Sequence, residues 1–399
     1  MSDERRGLGL RLAPAALDQA LWSGGNLAVS AFTAAAASSA GSFGAFAIAM
    51  SIGLTSIGLF VALIVEPFAA GIHGVNFDLP SGLLFATKYA LRSAALSMII
   101  AVTLGLVLDE LVLAAVVGAA ASAVLFVEAA RGLALADGNS RVYLRIDVTW
   151  VALQLLLSIG AVVALDEVPM LFFVSAWGIG AAVAATASIL RLVGAPPHGT
   201  TVESGDAFRS GRQFALELIL TRLPAQLVLV LLGAIAGTSA AGIFRVVQLI
   251  FAPLNTAVTG IRLGLMPMVR RTPKKFTSLW KAMGFAALVY LLAAIPTGLK
   301  IGQLLGWEES PSLELIAFFG SGRIFFAATV GALMLIRVSQ DGGLSLSPRT
   351  ATALLSLVFS TAGAWWQQAE GAALGLAIAL FVGMLLFVRV SRDLTYEQT

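Results

Sequence analysis

Three arginines, Arg222, Arg245 and Arg323, stand inside long apolar runs of a 399-residue chain. A guanidinium stays charged and offers a planar fork that grips phosphate oxygens two at a time. Within hydrocarbon such a group costs several kcal/mol unless it faces a cavity or a partner. Each is therefore a candidate anion-binding group. The competing reading is structural: Arg222 pairs with Glu217, and Arg245 and Arg323 snorkel or lock helices. Asn26, Gln226, Gln248 and Asn255 add amides to the same apolar runs, where they could line a polar cavity or hydrogen-bond between helices. Asp18, Glu217 and Glu128 are candidates for carrying a coupling ion. For Asp18 and Glu217, a charge at a helix start favoured by the dipole explains them equally well.

Other chemistries lack their residues. The chain has no cysteine and only two histidines, His73 and His198, far apart in sequence, so thiol catalysis is excluded and a metal pair is not expected. No GxxxxGK[ST] phosphate loop occurs, and no segment is long enough for an ATP-binding domain. No cofactor is expected. A lipid-using membrane enzyme would need acid/base or metal-binding residues on a substantial loop, and none stands out. A scaffold without transport would not require arginines at mid-span.

The elements that carry these residues are membrane helices. The composition is 58% hydrophobic and 12% charged, with a mean hydropathy of +0.92. A soluble domain carries roughly 25% charged residues. Lipid must be the solvent. Runs of about 20 apolar residues give twelve spans: 16–40, 43–65, 86–108, 112–133, 147–165, 169–192, 213–235, 239–260, 280–300, 313–337, 350–366 and 369–389. The first is expected to be retained as a span. Of the 25 Lys and Arg, all but Lys300 and the three mid-span arginines fall in alternate loops or span ends, which places both termini in the cytoplasm. The opposite turns are short and acidic, at Asp109-Glu110, Asp166-Glu167, Glu308-Glu309 and Glu370. The basic excess (net +3) is a topology signal and does not point to nucleic acid.

The chain also repeats. At an offset of 198, Gln19 falls on Glu217, Gly44 on Gly242, Phe46 on Phe244 and Ile52 on Ile250. Six spans per half give an expected plan of an N-terminal segment 1–15, a six-helix bundle 16–193, a linker 194–212, a second six-helix bundle 213–390 and a tail 391–399. With six spans in each half, the two bundles should be related by a pseudo-two-fold axis along the membrane normal. Pro224 interrupts span 7, Gly25-Asn26 holds the equivalent place in span 1, and Pro253 and Pro296 fall in spans 8 and 9. Pro224, Gly25 and Pro253 are candidate hinges.

Leu17-Asp18-Gln19-Ala20, Gly44-Ala45-Phe46-Ala47-Ile48-Ala49 and Glu66-Pro67-Phe68 resemble the opening helical hairpin of polysaccharide flippases in the multidrug/oligosaccharidyl-lipid/polysaccharide (MOP) exporter superfamily. Gly242-Ile243-Phe244-Arg245-Val246-Val247-Gln248, Pro253-Leu254-Asn255 and Gly260-Ile261-Arg262-Leu263 resemble the corresponding hairpin of actinobacterial members. The turn Ser39-Ala40-Gly41-Ser42-Phe43-Gly44 departs from the GPxxFG-like pattern of that family. The resemblance implies alternating-access flipping of a polyprenyl-pyrophosphate-linked oligosaccharide, in the bacterial cytoplasmic membrane. Its implied partners are membrane lipids and polysaccharide polymerases or glycosyltransferases. An exporter of drugs, lipids or small amphiphiles is the alternative on the same fold.

Overall fold

The computed structural model describes residues 2–69, 79–137, 140–193, 204–221, 223–271, 276, 278–338 and 346–396. The regular elements among the described residues are all helices, in the order α1 (Ser2–Ala36), α2 (Ala40–Phe60), a π-helical turn (Val61–Val65), α3 (Glu66–Ala69), α4 (Leu79–Val107), α5 (Leu111–Ala136), α6 (Ser140–Ala164) and α7 (Met170–Val193). There follow α8 (Ser204–Thr221), α9 (Leu223–Ile250), α10 (Ala252–Arg271), α11 (Leu279–Leu304), α12 (Leu313–Val338) and α13 (Leu346–Tyr396). Nine of these stretches are long and apolar enough to cross a membrane.

Twelve spans emerge once the breaks are read. Gly237 (φ 88°) divides α9, because only glycine enters that region without strain. Gln367 and Gln368 divide α13, Gln368 at φ 48°. These are the two residues at which the sequence separates its last two spans. Beyond the turn the two arms run antiparallel, with Gly363 against Gly371 and Phe359 against Gly375. Span 7 is thus α8 with the first part of α9, and span 8 the rest of α9 with α10.

Prolines set several of the remaining irregularities. Pro67 cannot donate to the carbonyl of Leu63, and there α2 widens into the π turn, where the Glu66 N–H donates to the Val61 oxygen. Pro253 sits second in α10, just after the break at Phe251, where a missing N–H is harmless; Pro224 lies just beyond residue 222, which is outside the described residues. Two expected interruptions do not occur. The helix α11 runs unbroken through the exposed Pro296. Helix α1 runs unbroken through Gly25, whose buried Cα lies against Val151 and Gln154. Gly25 serves close helix packing.

The helices gather into two compact units. One comprises Met1–Gln19, Ser38–Gly44 and Pro224–Thr399, and the other Ala20–Ala37 and Ala45–Leu223. The change of unit falls between Leu223 and Pro224, downstream of the expected linker 194–212, of which residues 194–203 lie outside the described residues. In the second unit α4, α5, α6 and α7 pack together, and α8 lies on α3 and the π turn. In the first, α12 packs against α10, α11 and α13.

Candidate functional site

In the unit containing Pro224–Thr399, α9 and α12 bring two of the candidate arginines into one electrostatic neighbourhood. Arg245 follows the buried Phe244, and Arg323 lies one turn beyond the buried Phe319. Both side chains are half-buried, and the Nε atom of each is buried without a hydrogen-bond partner. The two guanidinium groups lie within electrostatic reach of one another. Arg245 donates from Nη1 to Gln248 Oε1 at 2.9 Å. Arg323 stacks over the Phe319 ring at 4.5 Å. Among the described residues neither arginine has an ion pair.

Aromatic packing fixes this region. Phe319 meets Phe244 at 5.4 Å edge-on and Phe251 at 5.6 Å, and Phe251 meets Tyr290 at 5.9 Å. Tyr290 donates to the Ile250 carbonyl at 2.7 Å, at the junction where α9 ends. The guanidinium positions therefore rest on a packed layer of rings. Asn255, on α10 in the same unit, has a buried Oδ1 without a partner. Gln226 is half-buried near the start of α9. Pro224 is buried and Pro253 exposed.

Other candidates lie elsewhere. Arg222, His73 and His198 lie outside the described residues, as does the side chain of Asp18. Glu217 is half-buried on α8. Asn26 belongs to the other unit, where its Nδ2 donates to the Trp22 carbonyl at 2.9 Å and its Oδ1 has no partner.

Glu128 sits in a buried polar network in that same unit. Trp22 Nε1 donates to Glu128 Oε1 at 2.8 Å, Arg131 Nη1 meets Glu128 Oε2 at 3.0 Å, and Arg131 Nε meets Asp147 Oδ2 at 3.3 Å. Glu128 and Asp147 are almost wholly buried. Gln154, also buried, donates to the Gly25 carbonyl at 2.8 Å. Trp22, Arg131, Asp147 and Gln154 were not singled out by sequence. Arg131 reads as one of the basic span-end residues, Asp147 opens the expected span 147–165, and only Gln154, a lone amide amid an apolar run, carried a usable signal.

No protein-family model matches the chain, and no curated protein matches it. Solved structures do. The lipid II flippase MurJ matches with a TM-score of 0.69 at 11% identity, over 94% of this chain and 86% of that one. An inward-facing multidrug resistance MATE family transporter matches with a TM-score of 0.64 at 14% identity, over 94% of both chains. A MOP superfamily transporter from Pyrococcus furiosus matches with 0.63 at 13% identity, over 96% of this chain and 94% of that one. The protein is a multi-pass helical membrane protein with the fold of the MOP superfamily transporters.

Proposed function

We propose that this protein is an alternating-access transporter that moves a polyprenyl-pyrophosphate-linked oligosaccharide across a bacterial cytoplasmic membrane, for surface polysaccharide biosynthesis. Both termini are cytoplasmic in this reading. The observation that carries it is the Arg245–Gln248–Arg323 group, two unpaired guanidinium groups in one unit. A bound pyrophosphate would offset the cost of these charges through charge-assisted hydrogen bonds. By their place in the sequence, Arg222, Gln226, Asn255 and Asn26 are each proposed as further substrate-binding residues. Asp18, Glu217 and Glu128 are proposed carriers of a coupling ion. The partners proposed are the lipid-linked substrate, membrane lipids, and a polysaccharide polymerase or glycosyltransferase.

The test is surface polysaccharide in a deletion strain complemented with each variant, normalised to membrane protein level. Arg245→Ala and Arg323→Ala are expected to abolish it, and Arg323→Lys to restore it partly, because lysine keeps the charge and loses the planar fork. Wild-type polysaccharide from both alanine variants sinks this assignment. It would favour the second reading, an exporter of drugs, lipids or small amphiphiles, which has its own support in the ring stacked under Arg323. An aromatic face can hold a cation without any phosphate.

A further inference from the structure

We propose that the outward face of α4 is a binding site for the phosphoryl headgroup of an anionic phospholipid of the bilayer, gripped by Lys88 and Arg92. One face of α4 is committed to the protein. Leu83, Ala86, Ala90, Ala94, Ser97 and Ala101 are buried, and Ser122 of α5 reaches the Ala94 carbonyl at 3.5 Å. The opposite face is covered by nothing among the described residues. Leu84, Leu91, Leu96, Ile99 and Leu106 are each more than half exposed, and Lys88 and Arg92 are exposed among them.

The stripe is apolar toward the acidic end of the helix and dibasic toward the other. Lys88 and Arg92 are spaced i, i+4, so they lie side by side about 6 Å apart. Helix α4 contains no Asp or Glu. Neither basic group has an ion pair among the described residues. Arg92 is oriented by the Tyr89 ring, with its guanidinium 5.2 Å from the centroid, and Tyr89 packs on Phe85 at 4.7 Å.

Depth separates this pair from ordinary loop charges. Fifteen residues from Arg92 to Val107 span roughly 22 Å at 1.5 Å per residue. The hydrocarbon core is about 30 Å thick. With Val107 at one boundary, Lys88 stands near the other and Arg92 a turn inside it. An arginine at that depth on a lipid-facing surface must draw a phosphate toward itself or snorkel to one. The acyl chain of the same lipid then lies along Leu96, Ile99 and Leu106.

The experiment is native mass spectrometry of the full-length protein from mixed micelles containing phosphatidylglycerol and phosphatidylcholine. Wild type is expected to retain phosphatidylglycerol several-fold over phosphatidylcholine. Lys88→Gln/Arg92→Gln should bring the two near parity, Lys88→Arg/Arg92→Lys should keep the preference, and Arg191→Gln, on exposed α7 surface, should leave it intact. Any of four results overturns the proposal. One is an unchanged preference in the glutamine double variant, and another is an equal loss in Arg191→Gln. The third is a change of oligomeric state in the double variant with lipid retention unaltered, which would make this face a contact for a second copy. Added undecaprenyl phosphate competes at this site only if the site selects the polyprenyl lipid. Its displacing phosphatidylglycerol at trace levels would likewise overturn the assignment to a bilayer phospholipid.

Discussion

Gly44 and Gly242 cross backbone to backbone, each against the residue that the repeat assigns to the other's turn. A side chain on Gly44 would overlap the Thr238 carbonyl, and one on Gly242 would overlap the Ala40 carbonyl. The two positions differ by 242 − 44 = 198, and the two carbonyls by 238 − 40 = 198. The offset read from scattered identities is thus a reciprocal contact in three dimensions, at the opening turns of α2 and of the second part of α9.

Gly44→Ala and Gly242→Ala should each destabilise the protein by about 1–3 kcal/mol through overpacking against rigid backbone. The two should not add in the double variant, because one crossing is lost in either case. Thermal unfolding in detergent measures this, with Gly24→Ala and Gly260→Ala as references, since nothing lies within 4 Å of a Cβ there. Equal midpoints for all four variants would remove the crossing from the account of the fold.

Arg131→Gln should be more damaging than its half-hidden position suggests. It leaves Glu128 and Asp147 buried in one unit without their shared cation. Breaking such a buried pair costs about 3–5 kcal/mol. Asp147→Asn combined with Arg131→Gln should recover part of that loss. The check is the unfolding midpoint of the purified variants, and a near-neutral Arg131→Gln would contradict the network.

Pro224→Ala should slow transport while leaving the protein inserted. Alanine restores an N–H that can reach the Leu220 carbonyl, which removes the proline's interruption of the backbone hydrogen bonds in span 7. Surface polysaccharide per unit of membrane protein reads the effect. Unchanged export would reduce Pro224 to a packing residue.

The orientation can be tested without a background thiol, because the chain has no cysteine. Glu167→Cys and Glu308→Cys, both at exposed turn positions, should react with an impermeant thiol reagent added to intact cells. Asp137→Cys, exposed at the end of α5, should react only after the cells are opened. Labelling of Asp137→Cys from outside would invert the topology.

The sequence by itself determined the solvent, the span count and most of the breaks. Each of these depends on local physics: the length of an apolar run, the donor that Pro67 lacks, the two glutamines that end one arm of α13. It also exposed the repeat through Gly44 and Gly242, because close backbone approach tolerates only glycine. It could not show that Gly25 is packed against α6 without a kink in α1, since a glycine that packs and a glycine that bends look alike in one dimension. Only the tertiary structure decided which polar residues meet. Trp22 reaches Glu128 across 106 positions, and Arg245 shares its neighbourhood with Arg323 on another helix. Nothing local encodes those partnerships. In helices this rich in Ala and Gly many rotations of one helix against another look equivalent along the chain, and it is packing at close range that selects which face, and so which charge, turns inward.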